Sequence, residues 1–471
     1  MKIILVYPSN PSVKREFVSL EGSWPPIGLL YIATCLKEAG HNVRIFDNST
    51  HGFSTERLVH QIESRDPDLV GFSTLTVTTL FADEVAELLK EKLSEVPIVY
   101  GGYHATINHK RIVKEQPFVD FVVRGEGEYI AVELADALES RKNIEDIRGI
   151  TYRENGRVKV NQDSPLIEDV NSIPFPDRSL LQGEYLGVVN NFRTTVKKFT
   201  TVMSSRGCPY NCTFCAASTH GRRKWRGRSA ENIIEELSYL KDQGFGQIYF
   251  VDDSFTINAS RVIELCRQMR KEKLDMYWAT ETRVDLAGKE MLWAMKHAGC
   301  NGLYFGIESA IPWILTYYKK KITPQMAKKA IKNCNDVGMD SFASFILGAP
   351  GESVAEMWTT LRFASKIGVD IPDFHMLGAA PGMPIWDELV HQGFINEDKY
   401  WRTGVAVPDV VPNAVPREKI NELIKRGFRL FLASPKYLSR QLKKTYMNSF
   451  RREVIKVNTS LNSLRRFINF Y

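Results

Sequence analysis

Three cysteines fall within eight residues, Cys208-Pro-Tyr-Asn-Cys212-Thr-Phe-Cys215, giving the spacing C-x3-C-x2-C. Three thiolates on one short loop can hold three irons of a four-iron, four-sulfur (4Fe-4S) cubane and leave the fourth iron open, where a substrate can chelate. Zinc is the competing ligand; a structural zinc site closes with four donors, and His220 is the only nearby candidate for the fourth. Three unrelated buried cysteines are the plain alternative. The chain has only seven cysteines in 471 residues, and the other four, Cys35, Cys266, Cys300 and Cys334, are scattered. The odd total and the single cluster argue against a secreted disulfide framework and for a reducing, cytoplasmic compartment.

The elements that must present this loop form a strand/helix series. Apolar strands are expected at 200–203, 247–251, 276–279, 302–306, 341–347 and 370–376, with helical periodicity between them. Six such units in about 190 residues suit a parallel, incompletely closed (βα)6 barrel. The cysteine loop follows its first strand. Later strand ends carry further polar groups: Asp252-Asp253, Arg283, Glu308, then Gly348-Ala-Pro-Gly351-Glu352 and Pro381-Gly382-Met383-Pro384. Each has a plain reading: the Asp pair as a helix cap near Asn258, Arg283 and Glu308 as a structural pair, the glycines as turn chemistry.

Ahead of this barrel lies a second α/β unit. Runs at 3–6, 43–46, 69–72, 96–100 and 118–123 are predominantly apolar and separated by amphipathic helices, which predicts a Rossmann-like parallel sheet covered on both faces. Ligands in such sheets sit at the carboxyl ends of the strands. Here those ends carry the loops 7–26, 47–52, 73–79 and 101–106. Gly149 to Val160 reads as a hairpin turning at Asn155-Gly156, and Ile173 to Asp177 as a proline-rich linker. The expected division is 1–142, then hairpin and linker over 143–194, the barrel over 195–395, and a helical region over 396–471.

With its aromatic Phe214 before the last cysteine and a sixfold series behind it, the triplet resembles the radical S-adenosylmethionine (SAM) superfamily over about residues 195–388. The resemblance implies that Cys208, Cys212 and Cys215 hold a 4Fe-4S cluster whose open iron binds SAM, cleaved to a hydrogen-abstracting 5′-deoxyadenosyl radical. It further implies that Phe214 packs beside the adenine and that Asp252 and Asp253 lie where relatives hold the amino end of SAM. Arg283 would neutralise its carboxylate through a bidentate fork, Glu308 would accept from ribose hydroxyls or the amine, and Gly348 would let backbone approach the nucleoside. Many relatives have Gly-Gly-Glu where this chain has its Asp pair, a departure seen mainly in the cobalamin-linked branch.

The first unit fits that branch. Ser73-Thr-Leu75 and Gly101-Gly102, closing the third and fourth strands, resemble the Ser-x-Leu and Gly-Gly signatures of cobalamin (B12)-binding domains. The third signature, Asp-x-His-x-x-Gly after the first strand, is absent, which implies cobalamin held without a protein histidine on cobalt. His51 lies past the wrong strand, and His104 reads as a loop histidine. Methylthiotransferases share the layout but carry front-domain cysteines, where this chain has only Cys35. The resemblance therefore implies a cobalamin-dependent radical SAM enzyme that methylates an unactivated carbon through methylcobalamin. An oxidative cyclase or ring-forming enzyme on a tetrapyrrole or lipid is the second reading, and a non-catalytic iron-sulfur and corrinoid electron carrier the third. The implied partners are a small-molecule or lipid substrate and an electron donor such as flavodoxin or ferredoxin.

Composition agrees: 44% hydrophobic and 25% charged residues describe an ordinary globular chain, and no apolar run reaches the roughly 18 residues of a membrane span. The net charge of +7 is uneven. Residues 417–471 hold 14 Lys+Arg against 3 Asp+Glu, while the rest holds 48 against 52. The body is thus slightly acidic, which disfavours nucleic acid as a partner. Ile420, Leu423, Ile424, Phe428, Phe431 and Leu432 recur at helical spacing and predict a helix packed on the barrel. The basic surplus beyond it makes the tail a candidate membrane-surface contact.

Overall fold

A computed structural model describes residues 1–9, 24–189, 192–403 and 415–458. The chain divides into two compact units. The first contains Met1–Tyr185 together with Ala380–Gly382 and the stretch from Glu397; the second contains the rest, including the C-terminal helices.

The first unit is built on a seven-stranded sheet of order β2-β1-β3-β4-β5-β6-β7. Its strands are β1 (Lys2–Tyr7), β2 (Asn42–Asp47), β3 (Leu69–Ser73), β4 (Ile98–Gly101), β5 (Phe121–Val123), β6 (Ile150–Glu154) and β7 (Arg157–Val160). The first five are parallel. Side chains alternate between faces along a strand. Ile3 and Leu5 therefore join one core with Leu29, Leu30 and Leu134, while Ile4 and Val6 join another with Leu58, Val85 and Ile112. The 2-1-3-4-5 order places a topological switch point between β1 and β3, where doubly wound sheets bind ligands.

Two expected boundaries need correction. The hairpin at 150–160 is not set apart with the linker: β6 pairs antiparallel to β5 and extends the first sheet. The C-terminal region also does not begin as one piece. The helix Glu397–Thr403 belongs with the first unit, where Trp401 packs on the Ile4/Val6 core, stacks on His104 at 5.7 Å and lies beneath the Arg111 guanidinium at 4.6 Å.

The second unit has six parallel strands in sequential order. They are β8 (Phe199–Val202), β9 (Gln247–Phe250), β10 (Tyr277–Arg283), β11 (Cys300–Glu308), β12 (Asp340–Leu347) and β13 (Ile371–Met376). Phe250, Trp278, Leu303, Phe305, Ala343, Phe345 and Phe374 turn outward into one large core with the surrounding helices. The alternate positions, Tyr249, Glu281, Tyr304, Ser344, Asp373 and His375, therefore line the inner, concave face. Of the tail, Arg417–Leu432 buries Ile420, Leu423, Phe428 and Phe431 against that core, as its periodicity predicts. Gly427 permits the contact, since a Cβ there would stand 2.5 Å from Leu361. No helix among the described residues is long and apolar enough to cross a membrane.

Candidate functional site

The cysteine loop leaves β8 through a two-residue strand, Ser205–Arg206, paired antiparallel to Arg226–Gly227. Gly207 then turns at φ +80°, and any Cβ there would sit 2.2 Å from the Lys224 carbonyl oxygen, so only glycine opens the loop. The loop is pinned at its centre: the Thr213 amide donates to the Tyr318 carbonyl at 3.1 Å, and its own carbonyl accepts from Ile385 at 2.9 Å. All three thiols are free, with Cys212 buried and Cys208 and Cys215 half-buried. Burial pushes the Cys208 thiol up and the Cys215 thiol to about 11. Thiolates here need a nearby cation or metal to persist, which is the chemistry a bound cluster supplies. The donor set fits the cluster. The His220 side chain, the expected fourth donor of a zinc site, lies outside the described residues.

Each strand end contributes around this loop, though not always in the expected way. Asp252 is buried and already satisfied by Ser204 (3.0 and 3.1 Å) and Ser205 (2.6 Å), so it braces the loop's entry. Asp253 is exposed, and its charge reaches Cys208 and Cys215. Neither aspartate caps the next helix, because Asn258 does so through the Arg261 amide. The Arg283 fork is also engaged: Nε and Nη2 grip Asp285 at 2.9 and 3.1 Å, and Nη2 donates to the Lys320 carbonyl at 2.7 Å. Its remaining nitrogen lies 3.9 Å from Cys212 Sγ, with the guanidinium 3.7 Å above the Tyr210 ring. In this arrangement Arg283 presents a fixed positive charge to the cysteine loop rather than a vacant carboxylate fork.

Glu308 ends β11 in a left-handed conformation, φ +68°, at a slip in the register with β12. A non-glycine residue held there is strained, and such strain collects at functional positions. Glu308 does not pair with Arg283. Its Oε1 accepts from Lys320 Nζ at 2.8 Å and its Oε2 from Ser344 at 2.9 Å. Gly306 makes room for the pair, since a Cβ there would meet both groups at 2.5–2.6 Å. Lys320 is buried, 5.5 Å from the Phe214 ring; burial opposes its charge, yet Glu308 and Cys212 hold its pKa above the usual lysine value. Phe214 itself packs edge-on against Tyr318. Gly348 adopts φ +89°, and its amide donates to Glu352 at 2.7 Å, so the glycine turn is closed on its own carboxylate.

Lys320 escaped the sequence reading, where Lys319-Lys320-Lys321 looks like a solvated run. So did the inner wall. Tyr304 donates to Asp373 at 2.6 Å, His375 reaches Ser344 at 3.4 Å, and Tyr249 donates to Glu281 at 3.3 Å. Enclosure by the wall pushes the Glu281 carboxyl up to about 7, helped by repulsion from Asp253 and Glu308, although the side chain still touches solvent. The only available signal was strand alternation, which marks these positions as inward once each strand's register is known.

In the first unit, the ends of β3 and β4 are tied together. Thr74 donates to the Gly101 carbonyl through its amide (2.8 Å) and hydroxyl (3.0 Å), and His104 donates its amide to the Thr74 carbonyl. Gly102 is there for this approach: at φ +92°, a Cβ would lie 2.7 Å from the Thr74 oxygen. Gly101 differs, with only the Val123 oxygen 3.9 Å from where its Cβ would stand. Ser73 and Leu75 border the same loop half-buried; the Leu75 carbonyl accepts from the hydroxyls of Thr78 and Thr79. Beside them His104 is buried, its Nδ1 3.3 Å from Thr76 and its Nε2 without a hydrogen-bond partner among the described residues; burial lowers its pKa to about 4. The room at Gly101, where a Cβ would make only an ordinary contact, beside the buried His104 nitrogen fits a large group arriving at the ends of β3 and β4. Most of the loop after β1 lies outside the described residues.

Comparison with known proteins agrees with both halves. The family model for the B12 binding domain matches residues 17–135, and that for the radical SAM superfamily matches 202–364. An uncharacterized methyltransferase of Pyrococcus horikoshii is 35% identical over 444 residues, 94% of this chain and 95% of that protein. The anaerobic magnesium-protoporphyrin IX monomethyl ester cyclase of Rubrivivax gelatinosus is 28% identical, across 93% of this chain and 78% of its own. Among solved structures, the radical SAM methyltransferase TsrM from Kitasatospora setae, with cobalamin and a [4Fe-4S] cluster bound, superposes with a TM-score of 0.68. It is 18% identical and covers 83% of this chain and 75% of TsrM, a likeness of fold.

Proposed function

The chain belongs to the B12-binding radical SAM family, and on that premise we propose that it is a cobalamin-dependent methyltransferase acting on an unactivated carbon. What most supports methyl transfer is the likeness, sustained across nearly the whole chain, to a protein named as a methyltransferase. When bound, the cluster, SAM and corrinoid would supply one-electron cleavage of the sulfonium and delivery of a methyl group.

The chain's own residues bind and orient. Cys208, Cys212 and Cys215 would hold the cluster, and Arg283 sets a positive charge against Cys212. Phe214 offers an apolar ring beside Lys320, and the Glu308 carboxylate, held in place by Lys320, would be the acceptor for ribose hydroxyls or an amine. Asp253, whose charge reaches the thiols, would lie toward the amino end of SAM, and Gly348 would let the nucleoside approach the backbone. Asp252 positions the loop from behind. The corrinoid would meet Ser73, Leu75 and Gly101, with Gly102 holding the two loops together. A small-molecule or lipid substrate would lie along the inner wall of Tyr249, Glu281, Tyr304 and Asp373. The electron would come from a flavodoxin- or ferredoxin-type donor, and seven free cysteines suit a reducing, cytoplasmic setting.

Product analysis after anaerobic reconstitution tests the reading. S-adenosylhomocysteine formed beside 5′-deoxyadenosine is expected. Deoxyadenosine alone transfers the assignment to a cyclase, and no SAM cleavage leaves an electron carrier.

A further inference from the structure

The tail helix Pro435–Met447 has two unlike faces. One turns to the barrel: Lys444 Nζ reaches Asp370 at 2.6 Å and the Met339 carbonyl at 2.9 Å, and Gln441 reaches Asp370 at 2.9 Å. Arg440 donates to the Val369 carbonyl, and Arg451 from the next helix grips Asp340 at 2.6 Å and Asp370 at 3.2 Å. These three cations lie at the starts of β12 and β13, on the rim opposite the cysteine loop. They neutralise buried carboxylates and so are not available as surface charge.

The other face is covered by no described residue. Leu438, Leu442, Tyr446 and Met447 are 50, 73, 84 and 73% exposed. Positions 438, 442 and 446 repeat at four residues and form one stripe. Single exposed apolar residues are ordinary; a contiguous stripe on one helix marks an interaction surface. Lys436 and Lys443 are also exposed, and the helix contains no Asp or Glu. Nearby Ile455 is 41% exposed, beside the exposed Arg452.

We propose that this face of Pro435–Met447 docks on an anionic membrane surface, with Leu438, Leu442, Tyr446 and Met447 entering the headgroup boundary and Lys436 and Lys443 meeting lipid phosphates. Charge selects this occupant over a second copy of the chain. A symmetric contact through the stripe would set the lysines of one helix against those of the other with no acid to pair them. Because Arg440 and Lys444 are committed to the barrel, Lys436 and Lys443 are the cations this helix has left for the attraction. The inference goes beyond the methyltransferase reading and does not depend on it.

Flotation of the full chain with vesicles containing phosphatidylglycerol, or phosphatidylcholine alone, tests it. The wild type is expected to float with the anionic vesicles only, and less so at high salt. The double variants Leu442→Asp/Tyr446→Asp and Lys436→Glu/Lys443→Glu replace exposed side chains. Each is expected to lower partitioning by about 10-fold or more with an unchanged melting temperature. Wild type that stays behind, or variants that float equally well, overturns the proposal. So does a dimer in sedimentation that the stripe variant abolishes without any lipid binding, which would assign the face to a second copy.

Discussion

At the scale of single residues, the least legible group is Lys320. In a run of three lysines each looks solvated, yet the outer two adopt left-handed backbone, φ +51° and +54°, and the middle one is buried against Glu308. Removing one partner of a buried pair is costly because the other is left charged and unmatched, typically by about 3–5 kcal/mol. Glu308 would then keep Ser344 as its remaining described partner and lose the contact that fixes its carboxylate as an acceptor. Lys320→Met is therefore expected to assemble its cluster normally, shown by the brown charge-transfer absorption, and to bind SAM about 10-fold or more weakly in equilibrium dialysis. Unchanged SAM affinity would mean that the pair is scaffolding. The three cysteines, by contrast, were readable at once, because scarcity and spacing together carry the signal. Arg283 lies between: its position was legible, but its fork is filled by Asp285 two residues on, which no spacing rule announces.

Elements show the same division between local and non-local information. The five parallel strands of the first sheet are mostly apolar runs, as burial on both faces demands, and the six barrel strands carry apolar residues on the face toward the helices, so both sets could be read directly. The hairpin β6-β7 was legible as a hairpin but not as part of the first sheet, because its partner β5 is chosen by pairing across sequence rather than by its own pattern. Two neighbouring glycines make a test of what the loops are for. Gly102 is fixed by the Thr74 carbonyl, so Gly102→Ala should cost the first unit about 1–3 kcal/mol in denaturant unfolding. Gly101 has room, so Gly101→Val should leave the fold intact and weaken cobalamin about 10-fold or more in a fluorescence-quenching titration. The tail helices behave as a structural cap. Asp370, almost fully buried among Arg440, Lys444 and Arg451, is a carboxyl whose pKa Lys444 and Arg451 lower against the pull of burial. A lowered folded pKa means that the stabilisation is present above the unfolded value and is lost as pH falls through the folded one. Asp370→Asn should thus destabilise the second unit by about 3 kcal/mol at neutral pH, with the gap to wild type closing as the titration is carried below about pH 4.

At the scale of the whole molecule, the chain keeps two sets of hydrophobic cores, one around the first sheet and one around the barrel, and the proposed function gives each its own cofactors to hold. Units with their own cores can unfold separately, and a ligand stabilises only the unit whose folded form it binds. Cobalamin at about 100 times its dissociation constant adds about 2.7 kcal/mol to its host, and a unit of about 150–250 residues gains about 2–4 °C per kcal/mol. Anaerobic calorimetry should therefore show two transitions, one rising by about 5–10 °C with cobalamin, the other responding to cluster reconstitution and SAM. The helix Glu397–Thr403 makes the test sharper. It follows the last barrel strand in sequence yet buries Trp401 in the first unit's core, so Trp401→Ala should lower the cobalamin-responsive transition and spare the other. A single transition moved equally by both ligands would mean that the cores unfold as one, and that cofactor binding in either half is felt as stability in the other.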